Sequence, residues 1–269
     1  MELLELSTMA WIAVAVSALL VGLSKAGFGA GAGILAVPLM TIGLGSAQDM
    51  LPVLLPVLIA GDIFSIIHYP GQKNWRNLAM LVPGCLVGVG LGWLALQWLG
   101  DLSRLQVAGS ALTGEAMLQK FVGGICVLFV GIQIWRYFRQ SRLTERPEPF
   151  RPKSWQGVGL GSAAGLTSTL AHSAGPLVAL FLLPQKLDKR VFVGTTVTYF
   201  FFGNLVKLIP FTAQGMFTTP RVLTSLVLVP AVIVGTLIGV FLNRKIDARV
   251  FVLIIYGVAL VAGLKLLVG

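Results

Sequence analysis

Apolar residues run through this chain in long blocks separated by short polar or basic spacers. The blocks cover about 8–24, 27–44, 50–69, 77–99, 119–138, 156–171, 173–184, 190–210, 222–243 and 249–268. Several reach the length of about 18 residues that crosses a hydrocarbon core of roughly 30 Å. In lipid a backbone must satisfy its own N–H and C=O groups, and the blocks lack the alternation of a membrane β-barrel strand, so they are predicted to be helices. The expected fold is all-α, a polytopic transmembrane helical bundle.

The spacers order those helices. The one clear linker runs from Arg139 to Trp155; it carries Arg139, Arg142, Arg146, Arg151 and Lys153, and three prolines break any helix in it. It divides the chain into 1–138, a basic linker at 139–155, and 156–269. Three further spacers are basic: Gly71–Asn77, Gln185–Arg190 and Asn243–Arg249. Basic loops stay on the cytoplasmic side. Placing all four inside gives one path, in which both halves repeat the same pattern of crossings in opposite directions. The predicted architecture is therefore two inverted-topology repeats. Sequence likeness points the same way: Leu81–Gly92 and Leu228–Gly239 share six of twelve residues, including the proline and two spaced glycines. Gly61-Asp62 likewise matches Gly203-Asn204, and Gly22-Leu23 matches Gly165-Leu166. Inverted repeats are a common build of secondary transporters.

Composition narrows the class. Hydrophobic residues make up 56% of the 269 residues and charged ones 11%, against roughly 25% charged in a soluble domain. The net charge of +10 sits mainly in the short loops, so it reads as a topology signal rather than a nucleic-acid face. Glu2 and Glu5 precede the first block and Lys25 follows it. That reverses a signal peptide, so the block is expected to stay in the mature protein. Localisation in the inner (plasma) membrane as a multi-pass protein follows. Cys85 and Cys126 lie inside apolar runs without metal-ligand spacing, and no metal or cofactor is expected. Glycines four apart, at 84, 88 and 92 and at 157, 161 and 165, are expected to let helices approach closely. The tryptophans mostly mark membrane interfaces.

Two stretches interrupt the apolar pattern at equivalent places in the halves: Gly22 to Gly33 and Gly165 to Pro176. The blocks flanking each are short for a full pair of crossings, which predicts broken or re-entrant helices meeting near mid-membrane. Helices restarting at about Ala30–Gly33 and Ala174–Leu177 would point N–H groups and positive dipole ends at a bound anion. Ser24, Lys25, Gly27, Gly29, Gly31 and Gly33 are the candidate binding residues of the first break. Thr167, Ser168, His172, Ser173 and Gly175 are those of the second, with Thr169 a further hydroxyl donor. The alternative reading is surface turns, with Lys25 snorkelling to headgroups. Asp62, His172 and Asn204 are the candidates for proton carriage or coupling; Asp62 would carry a proton, counter a lysine, or only fix the bundle. Lys207 is expected either to snorkel outward or to attract anions at an outer vestibule. His68 is expected at the interface.

With the glycine-rich stretch running into Val37-Pro38-Leu39, the repeated Leu-Val-Pro with spaced glycines and the Gly165 stretch, the chain resembles the TauE/SafE family of membrane transporters. The resemblance spans nearly the whole chain and implies transport of a small anion such as sulfite, a sulfonate or a related organosulfur acid. The two breaks are the positions that match the family and would hold the site. Partners are then a small anionic substrate and the bilayer, with no nucleic acid; oligomeric state is not readable. An anion channel is the nearer alternative. An intramembrane enzyme is the further one, since two histidines far apart supply no nucleophile–base pair or metal motif.

Overall fold

A computed structural model gives the structure of the chain at residues 3–28, 36–104, 151–245, and at 116–117, 120–121, 123–124, 127–128, 130–132, 135, 260–261, 264 and 267–268. Gly29, Gly31 and Gly33, the linker residues 139–150 and most of the last apolar block lie outside the described residues.

Eight helices form the continuous parts. They are α1 (Thr8–Phe28), α2 (Ala36–Leu44), α3 (Ala47–His68), α4 (Trp75–Arg104), α5 (Ser154–Ala171), α6 (Gly175–Leu182), α7 (Lys189–Ala213) and α8 (Thr219–Lys245). Local chemistry sets several ends. Ser46 caps α3 by accepting the Asp49 N–H at 3.1 Å, and Asp188 caps α7 by accepting the Arg190 N–H at 2.9 Å, each satisfying an orphan donor. Prolines 52, 56, 83, 210 and 230 sit inside helices, as membrane helices tolerate. Interior hydroxyls return to their own helix: Thr195, Thr196 and Thr198 on α7 each donate to the carbonyl four residues back. This leaves no bare O–H in an apolar setting.

Five described helices, α1, α3, α4, α7 and α8, are long and apolar enough to cross a membrane. By contrast α2 has nine residues and α6 eight. At 1.5 Å per residue α6 is about 12 Å long, less than half a hydrocarbon core. The second break has the short helix expected of it in α6, whereas at the first break α1 departs from the expectation. Its 21 residues reach about 31 Å, and the helix runs through Ser24, Lys25 and Gly27 instead of breaking there. The polar residues do not end it because each finds a partner. The Ser24 hydroxyl turns back to the Val21 carbonyl at 2.9 Å, and Lys25 meets a carboxylate. Near the last described turn of α1, the Tyr69 hydroxyl donates to the Ala26 carbonyl at 2.6 Å.

The glycines fix the packing. Gly22 lies against Val232 and Thr236, Gly235 against Leu19, and Gly239 against Leu23 and Gly27, so α1 and α8 run parallel in close contact. In the same way α4 and α5 run parallel: Gly84 meets Val158 and Ser162, Gly88 meets Ser162 and Leu166, and Gly161 and Gly165 meet Leu81 and Cys85. Helix α3 is parallel to α8, with the Asp49–Arg221 ion pair followed by the Ser225 hydroxyl on the Val53 carbonyl at 2.8 Å. Helix α7 is parallel to α4, through Thr195 on the Asn74 N–H and Gly203 on Cys85. Helix α2 turns back against α1, since Ser17 meets Ala36 and Val14 meets Gly43.

These contacts make the small residues testable. A Cβ at Gly88 would overlap the Ser162 carbonyl oxygen, whereas a Cβ at Gly90 meets nothing within 4 Å. Gly88→Ala is expected to lower stability by about 2 kcal/mol or more through forced separation of α4 and α5. Gly90→Ala should be neutral or stabilising by up to about 1 kcal/mol through helix propensity. Thermal melting of the two purified variants, followed by size-exclusion, reads the difference.

Candidate functional site

The break between α5 and α6 is built at His172. The α5 helix ends at Ala171, and His172 takes the left-handed conformation, φ 47° and ψ 28°, that usually calls for glycine. Its N–H bonds to the Ser168 carbonyl at 2.9 Å and the Ser173 N–H to the Thr167 carbonyl at 3.3 Å, a reversal that satisfies the helix end. A histidine at this φ carries backbone strain of roughly 1–3 kcal/mol, so the side chain is held there by something else. Its Nε2 lies 3.0 Å from the Leu51 carbonyl of α3, and its Nδ1 lies 2.8 Å from Lys207 Nζ of α7. A carbonyl only accepts, so Nε2 carries the hydrogen; Nδ1 is then the acceptor of the Lys207 ammonium. This tautomer is assigned from the network.

Lys207 is fully buried, with 0% exposure, so it does not snorkel to the headgroups. Its position three residues beyond Asn204 puts both on one face of α7, and that face looks into the bundle. The ammonium reaches the Ser168 carbonyl at 3.3 Å, the Ser168 hydroxyl at 3.0 Å and His172. All three partners are neutral. Among the described residues no carboxylate lies within ion-pair distance of Lys207.

A second group sits further along α3. Lys25 and Asp62 form an ion pair at 2.5 Å, with side chains 6% and 0% exposed. Lys25 also donates to the Leu58 carbonyl at 2.9 Å, and the other Asp62 oxygen accepts from Asn204 Nδ2 at 2.7 Å. Phe200 of α7 lies beneath the ammonium, 5.8 Å from Nζ to the ring centroid. Asp62 thus faces a lysine and also bridges α3 to α7 through Asn204.

The candidate residues of the two breaks thus divide. Ser168 and His172 reach Lys207, while Lys25 and Asn204 each bond to Asp62. The hydroxyls of Ser24, Thr167, Thr169 and Ser173 donate to nearby carbonyls of their own segment. Gly27 serves the contact with Gly239. Gly175 opens α6, whose N-cap, Ala174, brings no side-chain acceptor to the first turn, and a proline occupies the start. His68 is exposed and bonded to its own helix at Phe64. Two contributors were missed by sequence reasoning: the Leu51 carbonyl, which has no side-chain signature, and the central place of Lys207. The spacing from Asn204 to Lys207 was the available signal for the second.

Five described helices long and apolar enough to cross a lipid bilayer, with polar groups buried among them, fit a multi-pass membrane protein. The chain belongs to the sulfite exporter TauE/SafE family, whose model matches residues 14–266. No match was found among curated proteins or among solved structures.

Proposed function

We propose that the chain is a secondary transporter of the inner membrane that exports a small organosulfur or sulfur oxyanion, bound at Lys207, Ser168 and His172. The observation that carries this reading is the fully buried Lys207 ammonium, which among the described residues bonds only to neutral groups. An unpaired charge inside a membrane protein costs several kcal/mol, and a bound anion removes that cost. Donors stand ready beside it. Among the described residues no acceptor is placed for the Ser168 hydroxyl hydrogen, and only one of the two Asn204 amide hydrogens is engaged, by Asp62. The uncapped start of α6, three residues past His172, adds backbone N–H groups and a positive dipole end.

Two inverted repeats would place this centre on their pseudo-two-fold axis. Equivalent residues of two such repeats meet at that axis, and Asp62 is hydrogen-bonded to its counterpart Asn204. The parallel pairs α1–α8 and α4–α5 are counterparts under the same exchange. With the basic loops inside, the relative directions of α1, α3 and α8, and of α4, α5 and α7, fit one path across the membrane. Export follows from the field: an anion leaving a negative interior gains about 2.3 kcal/mol per charge per 100 mV.

Proteoliposomes loaded with labelled sulfite, sulfoacetate or sulfate test this reading. Saturable flux with counterflow is the expected result. Flux without saturation or counterflow would make it a channel, and transport of none of the anions would sink the proposal. For the orientation, labelling of Arg142→Cys by an impermeant reagent from outside would overturn the topology.

A further inference from the structure

The charges around Lys207 can be counted, and the count has a consequence for which anions fit. Lys25 and Asp62 cancel, and both Asp62 oxygens are already engaged. His172 is neutral, because its Nε2 hydrogen goes to Leu51 and its Nδ1 accepts from Lys207. Of the two groups sharing that proton, lysine is intrinsically the stronger base by about four pK units, so the charge rests on Lys207. Among the described residues the polar centre therefore carries one net positive charge.

Resting on the anion site proposed above, we infer that this centre selects singly charged anions, and that a doubly charged anion enters only together with a proton on His172. A monoanion at Lys207 brings the centre to neutrality, the state that low-dielectric surroundings favour. A dianion would leave one negative charge uncompensated. His172 is placed to supply the difference. An anion that takes over the Lys207 ammonium leaves Nδ1 without its donor and facing negative charge. A proton arriving from water at Nδ1 turns that acceptor into a second cationic donor. The ring need not turn, since Nε2 keeps its bond to Leu51 in both states.

The groups facing His172 are consistent with this division. Among the described residues they are Lys207 from α7, Ser168 from its own helix, and the Leu51 carbonyl from α3, with the Phe211 ring in a T-shaped contact 6.2 Å away between centroids. Asp62 of α3 and Lys25 of α1 are tied to each other; Tyr199 of α7 and Cys85 of α4 complete the titratable neighbours on the side of Lys207. Protonating Asp62 instead would break its bond from Lys25 or from Asn204, whereas Nδ1 of His172 is freed by the anion itself.

Methanesulfonate and sulfate separate the charge states, because neither changes charge between pH 6 and pH 8. Isothermal titration of the purified full chain with each anion at both pH values is the test. Methanesulfonate affinity is expected to stay within about twofold, while sulfate affinity falls about tenfold per pH unit, the slope for one proton taken up per anion. In His172→Gln the sulfate affinity should no longer depend on pH. Sulfate binding as tight as methanesulfonate at pH 8, or without pH dependence in the wild-type chain, overturns the inference and leaves the anion site standing. A pH dependence that survives in His172→Gln overturns the assignment of the proton. Binding of neither anion overturns the site itself. The wild-type titrations decide the charge rule even where the variant does not fold.

Discussion

Lys207→Met is expected to reduce anion flux by about 100-fold or more while leaving the stability of the bundle within about 1 kcal/mol of the wild-type chain. The two halves of that expectation have different physical origins. A hydrogen bond to a charged group is worth about 1.5–3 kcal/mol, and the upper end of that range is about a hundredfold in affinity. The ammonium also provides the only charge at the centre without a described carboxylate partner, so its loss removes the attraction for an anion. Stability behaves otherwise. Removing Lys207 abolishes the burial cost of an unpaired cation, which offsets the lost bonds to Ser168 and His172. Flux in proteoliposomes and a thermal melt of the same preparation give both numbers. Full flux in this variant would remove Lys207 from the site; a collapse in stability would make it a structural residue.

Asp62→Asn should do the opposite. It leaves Lys25, 5% exposed, without its carboxylate in the interior. Breaking a buried pair from one side costs about 3–5 kcal/mol, a large share of the stability of an ordinary domain. The expected result is a strong drop in folded protein recovered from the membrane and in its melting temperature. Adding Lys25→Met to the same chain should recover most of the loss, because the second change removes the stranded charge. A double-mutant cycle measures the coupling. Additive effects of the two changes would show that the ion pair at 2.5 Å contributes little to the bundle. The contrast with Lys207 is a difference in partner: both lysines are buried, but one faces a carboxylate and the other does not.

Much of this arrangement was legible in the chain. The apolar blocks gave the crossing helices because block length and membrane thickness must match. The glycines at four-residue spacing announced close helix contacts, and Gly84, Gly88, Gly161 and Gly165 make them. The likeness of Gly61-Asp62 to Gly203-Asn204 marked two residues that are hydrogen-bonded to each other. Where sequence reasoning went astray, it assigned polar residues to breaks or to the membrane surface for want of visible partners. Ser24 and Lys25 were read as belonging to a break after α1, and Lys207 as snorkelling outward or drawing anions at an outer vestibule rather than as buried beside His172.

Sequence by itself determined the class: an all-helical membrane chain, its family, and two stretches where the regular apolar pattern gives way. Those follow from hydrophobic length and local residue chemistry, which need no knowledge of neighbours. Tertiary structure decided which charges are spent. Lys25 and Asp62 are 37 residues apart, and Lys207 and His172 are 35 apart, so neither pairing is a local property. Only the packing of α1 and α7 on α3 reveals that one lysine is neutralised and the other is left facing a histidine. That difference in compensation is what turns a list of polar residues into a site for an anion.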